Sequence, residues 1–75
     1  MKGLADLPRG SRARVTGVEG SDEISIRLLE MGVTPGVEVV LLGVAPLGDP
    51  VEIEVRGGRL ALRRSEAARV EIEPL

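Results

Sequence analysis

The sequence contains no cysteine, histidine, phenylalanine, tryptophan or tyrosine among its 75 residues. Without cysteine, the chain has no disulfide and no thiolate ligand for zinc. Without histidine, it lacks the commonest transition-metal ligand and the usual general base of enzymes. Without aromatic rings, it cannot line a groove for proline-rich peptides or stack the bases of single-stranded nucleic acid. These absences leave an aliphatic core and a surface of charged and small residues.

The sequence also lacks a run of about 18 apolar residues, so it predicts no transmembrane helix. Segment 1–7 has no apolar stretch typical of a signal peptide, and we therefore expect a cytoplasmic protein without membrane insertion. Ten basic and twelve acidic residues give a net charge of -2. The arginines are interspersed with glutamates, whereas a nucleic-acid-binding domain of this size normally carries a basic stripe. We therefore expect no nucleic-acid partner.

The aliphatic residues predict one mainly β domain over residues 1–75. Ten valines, ten leucines and four isoleucines supply its core. Alternation of apolar and polar residues predicts strands at 12–19, 37–44, 51–56, 59–62 and 70–73. Gly17 and Gly43 indicate bends in the first two strands, and Gly57 with Gly58 offers the positive φ angles of a hairpin turn. The predicted architecture is a small, closed, five-stranded barrel of the SH3-like kind.

One α-helix is predicted between the first two strands, from about Asp22 to Met31. Apolar residues at Ile24, Leu28 and Met31 recur at i, i+4 and i+7 and mark its inward face. Ser21 or Asp22 can cap its first turn, and Gly32 supplies the left-handed residue that ends it. A single helical turn is predicted from Ser65 to Ala67, before the last strand.

Three motifs along the chain carry a resemblance to a known family. They are RLxEMGxxPG at Arg27–Gly36, APxGDP at Ala45–Pro50 and ALRxxEA at Ala61–Ala67. In this order and at this spacing they resemble the FeoA family, small cytoplasmic companions of the bacterial ferrous iron transporter FeoB. The resemblance implies an SH3-like fold and a non-enzymatic accessory protein that docks onto the cytosolic, GTPase-bearing part of FeoB.

The two proline and glycine loops read as structural turns rather than phosphate-binding loops. Neither contains the glycine and lysine pattern of a P-loop or of a dinucleotide site. We therefore interpret the following residues as turn-forming: Gly32, Pro35, Gly36, Pro46, Gly48, Asp49 and Pro50. Asp49 is expected to cap its own turn rather than touch a partner.

Exposed leucines are the candidate contacts with a partner. Leu47 lies at the tip of a rigid loop, where a partner contact and packing under the loop are both open alternatives. On the helix, Ile26 or Leu29 lies outside the inward face, and Leu29 with Leu47 would make an apolar patch. The next candidate surface is the Arg63 and Arg64 face of the fourth strand.

Catalysis and metal binding have little support in the sequence. The serines and threonines have no histidine or cysteine to activate them, so we expect no enzyme activity. Glu52, Glu54, Glu71 and Glu73 would converge only if their strands were neighbours, and a solvated sheet face is the favoured interpretation. We therefore predict no metal site and no cofactor, with a weak carboxylate-based metal-binding protein as an alternative.

Two further alternatives stay open. FeoA-like barrels also occur as the last domain of DtxR-like metal-dependent repressors, which would carry a helix-turn-helix domain ahead of the barrel, and only MKG precedes Leu4 here. A core of this size leaves on the order of a few kcal/mol of net stability, so a homo-oligomer formed through a barrel edge or the helix is also open.

Overall fold

The computed structural model describes residues 3–75, which form one antiparallel sheet and two helices. A short 3-10 turn, Leu4–Asp6, precedes the sheet. The elements that follow are β1 Arg12–Val18, α1 Glu23–Glu30, β2 Glu38–Val44, β3 Val51–Val55, β4 Gly58–Leu62, α2 Arg64–Ala67 and β5 Val70–Pro74. The predicted fold class, mainly β with one inserted helix and a later helical turn, is confirmed. No helix within 3–75 is long and apolar enough to cross a bilayer.

The five strands follow the order β4-β3-β2-β1-β5, with every neighbouring pair antiparallel. In the described part of the chain, β4 and β5 each pair with one strand, so the hydrogen-bonded ladder does not close as the expected barrel would. The outer edges of β4 and β5 are therefore not covered by another strand of the described chain. On β5, an isolated bridge joins Glu71 to Gly3.

Alternation along the strands places one face of the sheet on the core. On β3 the buried residues Val51, Ile53 and Val55 alternate with the exposed Glu52 and Glu54. The same alternation holds on β1. The other buried apolar residues of the core are Leu4, Leu7, Ala13, Val15, Leu28, Val33, Val39, Leu41, Leu62, Ala67, Val70 and Ile72.

Two glycines mark bends in the long strands. The register of β1 with β5 shifts between Val15 and Gly17, and that of β2 with β3 shifts between Leu41 and Gly43. Such bulges bend a strand and increase its twist. Both predicted bends are therefore present, and they curl the sheet around its core.

The β3–β4 hairpin turn differs from the sequence prediction. Val55 pairs with Gly58, so the two turn residues are Arg56 and Gly57. Their φ angles are 54° and 79°, and Gly58 has no positive φ. The prediction that Gly57 and Gly58 form the turn is wrong by one residue, because Gly58 belongs to the ladder and an arginine takes the left-handed position.

Helix α1 is capped at both ends by local hydrogen bonds. Asp22 is its N-cap, and its Oδ1 accepts from the Ser25 N–H at 3.2 Å. At the other end, Val33 N donates to Leu28 O and Gly32 N donates to Leu29 O, at 3.0 and 3.1 Å. This pair of bonds is a Schellman motif, and it requires the φ of +97° observed at Gly32.

The inward face of α1 is narrower and more polar than predicted. Leu28 is fully buried, whereas Ile24 and Met31 are only partly buried. Ser25 is buried instead, because its hydroxyl donates to the Asp22 carbonyl oxygen at 2.8 Å and so satisfies its polar atom. The helix thus rests on the sheet mainly through Leu28.

Candidate partner-binding surface

The Ala45–Pro50 loop joins β2 to β3 in a fixed conformation. Gly48 N donates to Ala45 O at 2.7 Å, which closes a β-turn with Pro46 at its second position, and Ala45 N donates to Pro50 O at 3.0 Å. Proline favours that position because its φ is already set, and Gly48 takes a φ of +87°. The loop backbone is therefore held before any partner binds.

Leu47 projects from the tip of this turn into solvent. Its side chain is 96% exposed, the largest exposure among the exposed large apolar residues. Packing of Leu47 under the loop, one of the two alternatives, is therefore not what the structure shows. Contact with a partner remains a prediction for this residue.

Asp49 anchors the loop to α2 rather than to its own turn. Its Oδ1 accepts a hydrogen bond from the Arg64 N–H at 3.1 Å. The expectation that Asp49 caps its own turn is wrong, because the first turn of α2 has free N–H groups that attract a carboxylate. This contact joins residues 15 positions apart in the sequence.

Arg63 and Arg64 do not lie on the fourth strand as predicted. β4 ends at Leu62, Arg63 is the N-cap residue of α2, and Arg64 is its first residue. Both arginines are exposed and stand beside the Ala45–Pro50 loop, because Asp49 holds the backbone of Arg64. The Arg64 side chain flanks the loop that presents Leu47, since a β-carbon built at Gly48 would lie 3.5 Å from Arg64 Nη1.

Glu66 is a buried charged residue that links α2 to α1, and the sequence analysis did not identify it. It is 6% exposed, its Oε1 accepts from the Arg63 N–H at 2.9 Å, and its Oε2 pairs with Arg27 of α1. The signal that could have found it is its position three residues after the N-cap, where a glutamate reaches back to cap the helix. Through these contacts α2 connects α1 to the loop.

Leu29 and Leu47 lie on different parts of the surface. Leu29 and Ile26 are both exposed, at 40% and 52%. Arg27 points towards α2, and Leu29 lies about 200° further around the helix. Leu29 therefore projects from the flank of α1 that faces away from α2, so the geometry favours two separate contacts over the alternative of a single apolar patch.

The Gly32–Gly36 segment holds the end of α1 against β1. Val37 N donates to Thr34 O at 3.1 Å around Pro35 and Gly36, whose φ is +95°. Proline followed by a glycine with positive φ is typical of a type II turn. Gly36 N also donates to Val15 O at 2.7 Å, so this segment positions the helix rather than a ligand.

The acidic residues of the sheet do not converge. Glu52 and Glu54 lie on β3 and Glu71 and Glu73 on β5, and β2 and β1 separate these strands in the sheet. Within residues 3–75, no group of three or more acidic residues is placed to hold a metal ion. The condition set for a four-carboxylate site, neighbouring strands, is therefore not met.

One surface ion pair connects the start of α1 to the segment before β5. Arg69 Nη1 donates to Asp22 Oδ1 at 2.6 Å. This bond has the largest effect in holding the pKa of Asp22 below its ordinary value, and the bond from the Ser25 N–H lowers it further. Asp22 in turn raises the pKa of Arg69. Asp22 thus caps the helix in its charged form.

Comparison with known proteins gives a family match along the chain. The family model for the FeoA domain matches residues 2–74. The Fe(2+) transport protein A/Fe(2+) transporter FeoB fusion protein of Porphyromonas gingivalis is 37% identical over 70 residues. That alignment covers 93% of this chain and 8% of the fusion protein, so the chain spans a small part of this relative.

Solved structures agree on the fold. Iron(II) transport protein A from Clostridium thermocellum has a TM-score of 0.93 and 36% identity, over 99% of this chain and 46% of its own. FeoA of Stenotrophomonas maltophilia, an SH3 domain protein complexed with zinc, has a TM-score of 0.85 and 36% identity, over 97% and 91%. The predicted SH3-like fold is thereby confirmed.

A manganese-dependent transcriptional repressor also shares this fold. It superposes on 99% of this chain and 36% of its own, with a TM-score of 0.90 and 13% identity. Likeness at that identity shows the fold alone. The comparison therefore shows that this chain and the repressor share a fold, and it gives no support for a repressor function.

Proposed function

Because the chain belongs to the FeoA family, we propose that it is a non-enzymatic, cytoplasmic accessory protein of ferrous iron uptake that docks onto the FeoB transporter and modulates it. In this proposal residues 1–75 act as one FeoA-like domain. The observation that carries it is the Porphyromonas gingivalis relative, in which a domain 37% identical to this chain is fused to FeoB. Fusion keeps two modules at high effective concentration, which supports association between them.

We propose that Leu47 is the central contact with the cytosolic, GTPase-bearing part of FeoB. Burying an exposed leucine side chain contributes about 1.5–3 kcal/mol, or roughly one to two orders of magnitude in affinity. Two backbone hydrogen bonds and the Asp49 contact already hold the loop. Little conformational entropy is then lost on binding, so most of this free energy is available for affinity.

The charges around Leu47 indicate what its binding site on FeoB should look like. Arg64 flanks the loop and Arg63 directly precedes Arg64 in the chain, and neither forms an ion pair with an acid of the described residues. An apolar pocket with an acidic rim would complement this arrangement. Leu29, on the far flank of α1, is proposed as a second and weaker contact.

Substitution of Leu47 with aspartate tests the proposal. Leu47→Asp should keep its melting temperature, because the side chain is exposed, and should lose co-purification with FeoB and iron-dependent growth. The matched control is Leu75→Asp, which changes another exposed leucine, 57% accessible at the end of the chain, and should bind normally.

Two results would contradict this assignment. If Leu47→Asp unfolds, Leu47 contributes to the core. If it folds and binds FeoB as the unsubstituted chain does, the contact lies elsewhere, and Leu29→Asp and the double change of Arg63 and Arg64 to glutamate then show whether α1 or α2 carries it.

A further inference from the structure

The open side of β4 presents unpaired backbone groups. In the β3–β4 hairpin, Val55 and Gly58 flank the two-residue turn and form a hydrogen-bonded pair. Hydrogen-bonded and non-hydrogen-bonded pairs alternate along antiparallel strands. The N–H and C=O groups of Arg59 and Ala61 therefore point away from β3, towards the open edge. Both residues are exposed, and neither has a backbone hydrogen bond to another element of residues 3–75.

Four arginines lie along this edge, and their guanidinium groups form no ion pair in the described part of the chain. Arg56 lies in the turn before β4, Arg59 on it, and Arg63 and Arg64 directly after it; within residues 3–75 none of them forms an ion pair. The arginines that do are Arg12, Arg14, Arg27 and Arg69. Guanidinium groups without an ion pair are thus concentrated at a strand edge that also has free backbone donors and acceptors.

Glu54 and Glu52 are the acidic residues that face β4 across the sheet, whereas Asp49 and Glu66 accept hydrogen bonds from the backbone N–H groups of Arg64 and Arg63. Glu54 faces Arg59 across the β3–β4 pair, and Glu52 faces Ala61. A strand added to β4 would lie about 4.8 Å from Arg59 and about 9.6 Å from β3. The second distance is close to the Debye length of about 10 Å at 0.1 M salt. Carboxylates on the added strand would therefore interact more strongly with the arginines than with these glutamates.

We propose that the edge of β4 binds an extended, acidic segment of a partner protein by strand addition. Alternating backbone donors and acceptors at Arg59 and Ala61 would pair with the added strand, and its carboxylates would face Arg59 and Arg63. A second copy of this chain fits poorly, because two-fold pairing of β4 with β4 brings arginines against arginines. A nucleic acid cannot satisfy the backbone groups as a strand does. The proposal is independent of Leu47 and of which protein supplies the segment.

A synthetic peptide of alternating threonine and glutamate is the probe. Titrated into the isotope-labelled chain, it should slow amide exchange at Arg59 and Ala61 and shift their signals. Arg59→Glu should weaken binding by about tenfold, because attraction becomes repulsion. Arg14→Glu, a charge reversal on β1, which β3 and β2 separate from β4 in the sheet, is the matched control and should change binding by less than about twofold.

A proline substitution separates strand addition from simple charge attraction. Ala61→Pro removes an N–H that points to the open edge, so it costs no hydrogen bond to β3. It should abolish protection of Arg59 by the peptide while leaving the charges unchanged. If Ala61→Pro does not fold, amide exchange at Arg59 and Ala61 in the unsubstituted chain decides the matter, because charge attraction alone would not protect these amides.

Four results would overturn the proposal. The first is binding of the peptide without protection of Arg59 and Ala61. The second is equal binding of a peptide with the same residues in separate threonine and glutamate blocks. The third is binding of a single-stranded RNA homopolymer at least as tight as that of the peptide. The fourth is protection of Arg59 that rises with the concentration of the chain alone, which would make a second copy the occupant.

Discussion

Replacement of Gly32 by alanine isolates the free energy of one backbone conformation. Gly32 ends α1 with a φ of +97°. A β-carbon built there would lie 3.6 Å from Arg56 Cδ, an ordinary van der Waals distance. The added methyl group therefore meets no clash, and the cost is the left-handed backbone itself, about 1–2 kcal/mol for a residue with a β-carbon.

The melting temperature reports this cost. In a domain of 60–100 residues, 1 kcal/mol corresponds to about 4–8 °C, so Gly32→Ala should lower the melting temperature by roughly 5–15 °C. Gly32→Asn should lose less, because asparagine tolerates the left-handed region better. Gly58→Ala is the matched control: Gly58 has no positive φ, and its β-carbon would lie 3.8 Å from Val55 O. An unchanged midpoint for Gly32→Ala, or an equal loss for Gly58→Ala, would refute this reasoning.

Two further substitutions test the contacts of the helices. Glu66→Ala removes both the cap on the Arg63 N–H and the partner of Arg27, and it should lower the free energy of unfolding in urea by about 1–2 kcal/mol. Glu66→Gln keeps the cap and should lower this free energy by less. Equal losses for the two variants would mean that the cap contributes nothing. The pKa of Asp22 is lower in the folded chain than its ordinary value of about 4. The bond of Asp22 to Arg69 therefore stabilises the fold above the ordinary pKa, and this stabilisation is lost as pH falls through the folded pKa. The stability difference between the unsubstituted chain and Asp22→Asn should therefore be present at neutral pH and vanish in acid, and a constant difference would contradict the assignment.

The strands and the main helix could be predicted because their signals are local. Alternation at Val51, Ile53 and Val55 and the i, i+4 spacing of Ile24 and Leu28 require only the period of a strand or a helix. Gly17 lies in the alternating segment of β1 and Gly43 interrupts the apolar run of β2, which marks the bulges within the strands themselves. The fold class therefore followed from the order of short periodic segments.

The candidate surface could be predicted only in part, because it depends on contacts between distant residues. The spacing of Pro46 and Gly48 indicates a turn with Leu47 at its tip. Nothing in that spacing shows that Asp49 binds the backbone of α2, or that Glu66 reaches Arg27 on another helix 39 positions away. The hairpin register failed for the same kind of reason, since the ladder between β3 and β4 decides which residues form the turn.

Direct titration of the chain with the cytosolic, GTPase-bearing part of FeoB tests the central claim. With isotope-labelled chain, the account predicts saturable changes at the amides of Ala45, Leu47, Gly48 and Asp49, and their loss in Leu47→Asp with an otherwise unchanged spectrum. No change in the spectrum at any ratio, or changes that exclude the Ala45–Pro50 loop, would contradict it.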